Sequence, residues 1–275
     1  MRAKRLAALA LLPLLPLAAQ PAAAATPLAP HRAVYDLVLD KASERSGIIG
    51  LNGRMVYEFN GSPCDGYTVK FRFVTDIQTR DVSRLTDQQT TTFEDAEGKT
   101  FSFVTKSFVD QNPDREVKGT AKLQGDRLVV DIEKPEPAEI DLKPTQFPTK
   151  HLEELIHKAE AGETFYETSL FDGSEDADKV MTTTVIIGKR QKPQDSDPEK
   201  KVLATLAADA FWPVDIAYFD EAATGGEDVP EYRISFKLHE NGMSRDLVMD
   251  YGDFSMKGTL VNLSMFPAPA ETGCK

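Results

Sequence analysis

Residues 66–75 read GYTVKFRFVT. Tyr67, Val69, Phe71 and Phe73 alternate with Thr68, Lys70 and Arg72, and a period of two puts the two sets on opposite faces of one strand. A strand with one apolar and one polar face belongs to an antiparallel sheet that packs on one side and meets water on the other. The same alternation recurs at Met55, Tyr57 and Phe59, at Phe101 and Phe103, at Leu128, Val130 and Ile132, and at Tyr232, Ile234, Phe236 and Leu238. Between Leu238 and Leu247, Asn241-Gly242 supplies the pair that tolerates positive φ in a type I′ turn, which predicts a tight hairpin. Asn52-Gly53 and Asn60-Gly61 read as turns of the same kind.

Helix signals are few. Thr149 reads as the cap of a segment whose Leu152, Leu155, Ile156 and Ala159 fall on one face, with Gly162 closing it. A second short helix is expected over residues 199–208, where Val202, Leu203, Leu206 and Ala207 are apolar, ended by Phe211-Trp212-Pro213. Residues 134–148, 191–200 and 220–230 are rich in Pro, Gly and acids and read as surface loops. A chain with this many strands must close, curl or cover its sheet edges. The expected fold is therefore mainly β: a large curled, spiral or barrel-like antiparallel sheet with one or two short helices, forming a single domain over residues 26–275. Such a sheet leaves an apolar concavity in which a ligand or peptide can bind.

At the N-terminus, Arg2, Lys4 and Arg5 precede an uncharged apolar run over residues 6–19 and then Ala22, Ala23, Ala24 and Ala25. This reads as a secretory signal peptide, residues 1–25, cut after Ala24 or Ala25. The run is too short to span a bilayer and is broken by Pro13 and Pro16, and no cysteine lies near the cut to take a lipid. The expected product is soluble and periplasmic. The formal net charge is −12, and losing Arg2, Lys4 and Arg5 makes it more negative. That disfavours nucleic acid and anionic membrane surfaces as generic partners, since both need basic patches. No later stretch is apolar for long enough to form a membrane-spanning helix.

The chain has two cysteines, Cys64 and Cys274. In an oxidising compartment an even pair is expected to form a disulfide, here tying the C-terminus to an early turn. A redox role calls for a close pair such as C-x-x-C, which is absent. His151 and His157 lie six apart on the expected helix, whereas a two-histidine metal site on one helix uses i, i+4 spacing. They are expected to be solvated surface residues, and His31 and His239 have no partner visible in the sequence. G-x-S-x-G, G-x-x-x-x-G-K and G-x-G-x-x-G patterns are absent. Gly47, Gly50 and Gly53 are better explained by turns and bulges, because no helix start follows them. Phe211, Trp212, Tyr218 and Phe219 are expected to pack in the core. No catalytic residue, cofactor or metal ligand is expected, and the chain reads as non-enzymatic.

Five segments together carry a resemblance: HRAVYDLVL (31–39), GLNGRMVYEF (50–59) with Cys64 and GYTVKFRFVT, FWPVDIAYF (211–219), and MDYGDFSMKGTL (249–260) with Cys274. The chain resembles the EipB-like cell-envelope integrity family over nearly all of its mature length. The resemblance implies a periplasmic protein with a spiral β-sheet, a disulfide matching Cys64 and Cys274, and a role in envelope homeostasis without known catalysis. It also implies a periplasmic tetratricopeptide-repeat partner. The expected function is envelope maintenance through binding a protein partner or an apolar envelope component in the concavity. The alternatives are a carrier of lipid or lipoprotein acyl chains and a cell-wall hydrolase.

Overall fold

The computed structural model describes residues 27–220 and 229–267. The expected signal peptide, Cys274 and most of the 220–230 loop lie outside them. The first half supplies β1 (His31–Ala42), β2 (Ile48–Ser62), β3 (Gly66–Thr79), β4 (Ser83–Glu94), β5 (Thr100–Val109), β6 (Asn112–Gln124), β7 (Arg127–Lys134) and β8 (Ala138–Leu142). After helix α1 (Pro148–Ala161) come β9 (Phe165–Leu170) and β10 (Met181–Ile187). Helix α2 (Lys200–Leu203) precedes β11 (Phe211–Asp220), β12 (Tyr232–His239), β13 (Ser244–Asp250) and β14 (Phe254–Met265).

These strands form one sheet in the order β8-β7-β6-β5-β4-β3-β2-β1-β14-β13-β12-β11-β10-β9. It is two antiparallel meanders, β1 to β8 and β9 to β14, joined where β14 lies beside β1. Helix α1 carries the chain from one edge strand, β8, to the other, β9. Among the described residues no ladder joins the two edges, so the sheet is curled and open rather than a closed barrel. The expected mainly-β, barrel-like curled sheet with two short helices is the observed architecture.

Packing shows how far the sheet curls. Phe59 and Tyr67, from β2 and β3, share one apolar cluster with Val185 and Ile187 of β10, at least six strands away in the sheet order. Leu155, Ile156 and Ala159 of α1 belong to the same cluster, so α1 lies inside the curl. Fully burying a Leu or Ile side chain contributes about 1.5–3 kcal/mol. Phe101 of β5 stacks on Phe147 at 5.2 Å and meets Phe171, just after β9, at 6.3 Å. The segment after β8 then seals part of the β9 edge: Gln146 bridges Leu170, Phe171 N donates to Gln146 O at 3.1 Å, and Thr145 Oγ1 donates to Ser169 Oγ at 2.8 Å. Covering an edge in this way satisfies backbone groups that would otherwise invite pairing with another chain.

Several local expectations are corrected. Asn52-Gly53 and Asn60-Gly61 are not turns; both lie within β2, which runs unbroken to Ser62. Gly53 is needed for a different reason, since a Cβ there would lie 2.3 Å from Val74 O on β3. The 134–148 loop contains a strand, β8. The second helix is shorter than its apolar pattern, with four α residues followed by a 3-10 turn at Ala204–Leu206. Helix α1 starts at Pro148, and Thr149 does not cap it. The capping acceptor comes from another strand: the Glu94 carboxylate accepts Thr149 N at 2.7 Å and Lys150 N at 3.0 Å. A carboxylate there also complements the positive end of the helix dipole. Gly162 closes the helix as expected, in the left-handed conformation at φ 78°.

Candidate functional site

The inner face of the curl divides into two parts. One part is filled by α1, which buries His151, Leu155, Ile156 and Ala159 against the sheet. The other carries an aromatic row across neighbouring strands. Tyr218 of β11 stacks on Tyr232 of β12 with centroids 4.3 Å apart, Tyr232 meets Tyr251 at 6.2 Å, and Tyr251 stacks on Phe254 of β14 at 5.1 Å. Register places the row on the packed face: Tyr218 opposes Tyr232, and Ile216, which is buried, opposes Ile234 one step along. Directly opposed residues share a face. Tyr251 keeps 40% of its surface exposed. Phe71, Phe73, Ile234 and Phe236 continue this half-buried apolar lining. Burial raises the phenols of Tyr218, Tyr232 and Tyr251 above the ordinary tyrosine value, so the row is uncharged throughout the physiological range.

A second assembly is polar and buried. Arg245 of β13 is fully buried, and its Nη1 donates to Asp197 Oδ2 at 2.8 Å and Glu199 Oε2 at 3.1 Å. Its Nε donates to His239 Nε2 at 3.0 Å, and the guanidinium lies 4.9 Å from the Phe211 ring centroid. Because His239 Nε2 accepts, the ring proton sits on Nδ1, which has no hydrogen-bond partner among the described residues, and neither has Arg245 Nη2. Beside this network is a cleft of about 290 Å³ lined by Arg190, Asp209, Ala210, His239, Glu240 and Asn241. A shallower cleft of about 490 Å³ runs along the outer side of α1, lined by Gln146, Lys150, Glu153, Glu154, His157, Lys158 and Glu163. Both are lined mostly by charged and amide side chains, in contrast to the aromatic row.

The histidines correct the sequence reading. Only His157 is solvated; His31, His151 and His239 are buried. His151 sits one helical turn before Leu155 on the packed face, with Nε2 3.5 Å from Thr183 Oγ1. His31 shares a hydrogen bond of 2.7 Å between Nδ1 and Ala29 O, and its ring packs near Tyr57 and Phe59. Burial lowers His151 and His239 from 6.5 to about 4, with the Arg245 charge adding to the shift at His239. Folded-state values below the unfolded value mean that the unfolded chain binds more protons, so stability is lost as pH falls from about 6.5 to 4. Each histidine is expected to contribute a loss of up to about 3 kcal/mol by pH 4. Glu94, raised by burial, opposes this in the same range. Urea midpoints measured at pH 7 and pH 4.5 in the wild type and in His151→Gln check this, and the variant should show a smaller acid loss.

Of the other residues singled out in the sequence, Phe211 and Trp212 are core, Trp212 with the Arg190 guanidinium 4.8 Å from its ring centroid. Tyr218 instead heads the aromatic row. Cys64 lies in the turn between β2 and β3, its N–H donating to Ser62 Oγ. Among the described residues, no group of three His, Cys, Asp or Glu side chains is placed to hold a metal, and no helix is long and apolar enough to cross a membrane. Sequence reasoning did not find the row, because its members come from three strands and a turn. It also missed Glu94, Asp197, Glu199 and Arg245. His239 and Arg245, close on either side of the Asn241-Gly242 turn, were the one available signal for the buried network.

Comparison with known proteins places the chain. A family model described as EipB-like matches residues 22–267. The chain is 57% identical over 258 residues to the cell envelope integrity protein EipB of Brucella abortus, covering 93% of this chain and 91% of that protein. It also superposes on the crystal structure of a β-barrel-like protein of a domain of unknown function from Brucella abortus. The TM-score is 0.84 at 57% identity, covering 88% of this chain and all of that one.

Proposed function

Because the chain belongs to the EipB-like family, we propose that it is a non-enzymatic periplasmic factor that supports cell-envelope integrity by holding an apolar envelope component against its concave face. The observation that carries the binding half is the row Tyr218, Tyr232, Tyr251 and Phe254, half-buried on the inner face beside the region that α1 fills. Aromatic surface of this kind supplies large apolar area at low conformational cost. The physiological half draws on the name of the 57%-identical relative and on the signal-peptide reading of residues 1–25. The tetratricopeptide-repeat partner implied by the resemblance is carried as a proposal alongside it.

Deleting the gene is expected to sensitise cells to detergent or to a cell-wall-directed antibiotic, and unchanged survival under every such stress removes the physiological claim. Tyr232→Ser is expected to leave the fold intact while failing to restore resistance. Full rescue by this variant would move the binding surface elsewhere.

The Cys64–Cys274 disulfide belongs to the same proposal. There is no free cysteine among the described residues. Met265 of β14 and Phe59 of β2 both oppose His31, so the ends of β14 and β2 lie two strand spacings apart, about 10 Å. The seven residues that follow Pro267, ending at Cys274, reach about 23 Å when extended, enough to meet the β2–β3 turn. Cys64→Ser and Cys274→Ser are expected to lower stability equally, by up to about 5 kcal/mol in the chain-entropy model. Unequal losses in thermal melts would indicate that one cysteine acts alone.

A further inference from the structure

The ladder between β13 and β14 is incomplete. It runs only from Leu247 opposite Gly258 to Asp250 opposite Ser255. Before Leu247, Ser244 and Arg245 stay paired with β12, while after Gly258 the chain from Thr259 to Met265 stays paired with β1. The sheet therefore splits between these strands, and two backbone N–H groups facing the split need acceptors. Both find the same atom: Glu199 Oε1 accepts Leu260 N at 2.7 Å and Asp246 N at 3.3 Å. The other oxygen, Oε2, takes Arg245 Nη1 at 3.1 Å. Two main-chain donors and a buried guanidinium converging on one carboxylate form a built carboxylate receptor.

One turn beyond Glu199, Leu203 is fully buried in the apolar cluster of Tyr35, Met243, Leu247 and Leu260. What fills the split is thus a carboxylate followed by a branched alkyl group. Glu199 is the N-cap and Leu203 the last residue of a four-residue helix that has no side-chain cap and is followed by a non-glycine residue, Ala204, at φ 49°. The receptor also holds a donor that this occupant leaves unused: Arg245 Nη2 is buried and has no partner among the described residues. A carboxylate free of the helix could meet the guanidinium through both terminal nitrogens, which Glu199 does not do.

We propose that the split between β13 and β14 is a binding site for an anionic amphiphile with a carboxylate head and an apolar chain, and that Glu199 and Leu203 are its resident substitutes. An incoming carboxylate replaces Glu199 charge for charge beside Arg245 and Asp197, and its chain takes the space of Leu203. Displacing α2 opens the site, so the apparent affinity is reduced by the fraction of molecules in which α2 is seated. The carboxylate receptor is distinct from the aromatic row and does not depend on ligand binding there, although Leu203 and the lining of the row share one apolar cluster.

The test uses the wild-type protein with dodecanoate below its micelle concentration, read by amide hydrogen exchange. Dodecanoate is expected to speed exchange across residues 199–206 by roughly tenfold or more while the Leu260 amide stays protected, and dodecanol, with a neutral head, is expected to leave exchange at 199–206 unchanged. Unchanged exchange at 199–206, an equal effect of dodecanol, or loss of protection at Leu260 overturns the site. Binding to the row alone leaves residues 199–206 unchanged, which rejects this site and keeps the row. In a second measurement, Glu199→Ala/Leu203→Ala is expected to bind dodecanoate about tenfold more tightly than the wild type, and adding Arg245→Met is expected to abolish the preference over dodecanol. Equal affinity of the double variant and the wild type also overturns it. If the double variant does not fold, the wild-type exchange result decides.

Discussion

Arg245→Ala is expected to destabilise the protein by about 3–5 kcal/mol, because it leaves two buried carboxylates without their shared cation. Asp197 and Glu199 are each almost wholly buried, and Arg245 Nη1 serves both. Removing the guanidinium also strips the partner from His239 Nε2. The loss reads out as a lower urea midpoint, and it should shrink in an Asp197→Asn/Glu199→Gln background, where no buried charge is left unpaired. A loss below about 1 kcal/mol would mean that water reaches these carboxylates when the arginine is gone. Exposed pairs supply the contrast: Arg45 with Asp253 is largely solvated, and breaking it is expected to leave the urea midpoint essentially unchanged.

Phe147→Ala is expected to cost about 3–5 kcal/mol, the range for deleting a buried phenylalanine. Phe147 is fully buried, stacks on Phe101, and meets Phe171 at 6.4 Å with the rings near perpendicular. It is also the residue from which α1 starts. The cavity therefore opens where the two ends of the curl meet, and hydrogen exchange should rise in β8 and β9 before it rises in β1 and β2. Phe93→Ala is the control: that ring is 40% exposed, and its loss is expected to stay within about 0.5 kcal/mol. Uniform loosening of all strands would show that the curl is held along its whole length and not at this contact.

These two residues mark where sequence reading ran out. Phe147 stood in a stretch read as a loop, because its Pro and acidic neighbours mask a residue whose partners lie 46 and 24 positions away, at Phe101 and Phe171. Arg245 stood in a strand with an ordinary charge pattern, and its acids come from a segment about 46 residues earlier. His151 was read as solvated because its helix face could be assigned only to within one residue. Gly53 and Gly61 were read as turns because a glycine that admits a close strand and one that bends the chain look alike in sequence.

Local chemistry determined the strands: alternation of period two is a property of neighbouring residues and survives any arrangement of the sheet. It likewise determined α1 with its closing Gly162, the hairpin at Asn241-Gly242, although only Gly242 takes positive φ and the turn is not type I′, and the need to curl, since so many strands cannot leave long edges bare. Tertiary structure alone decided which strands meet across the curl, that α1 fills part of the concavity, and that β13 and β14 part to admit Glu199. Those outcomes depend on contacts between residues far apart in the chain, whose pairing is set by the volume and charge available once the sheet has curled.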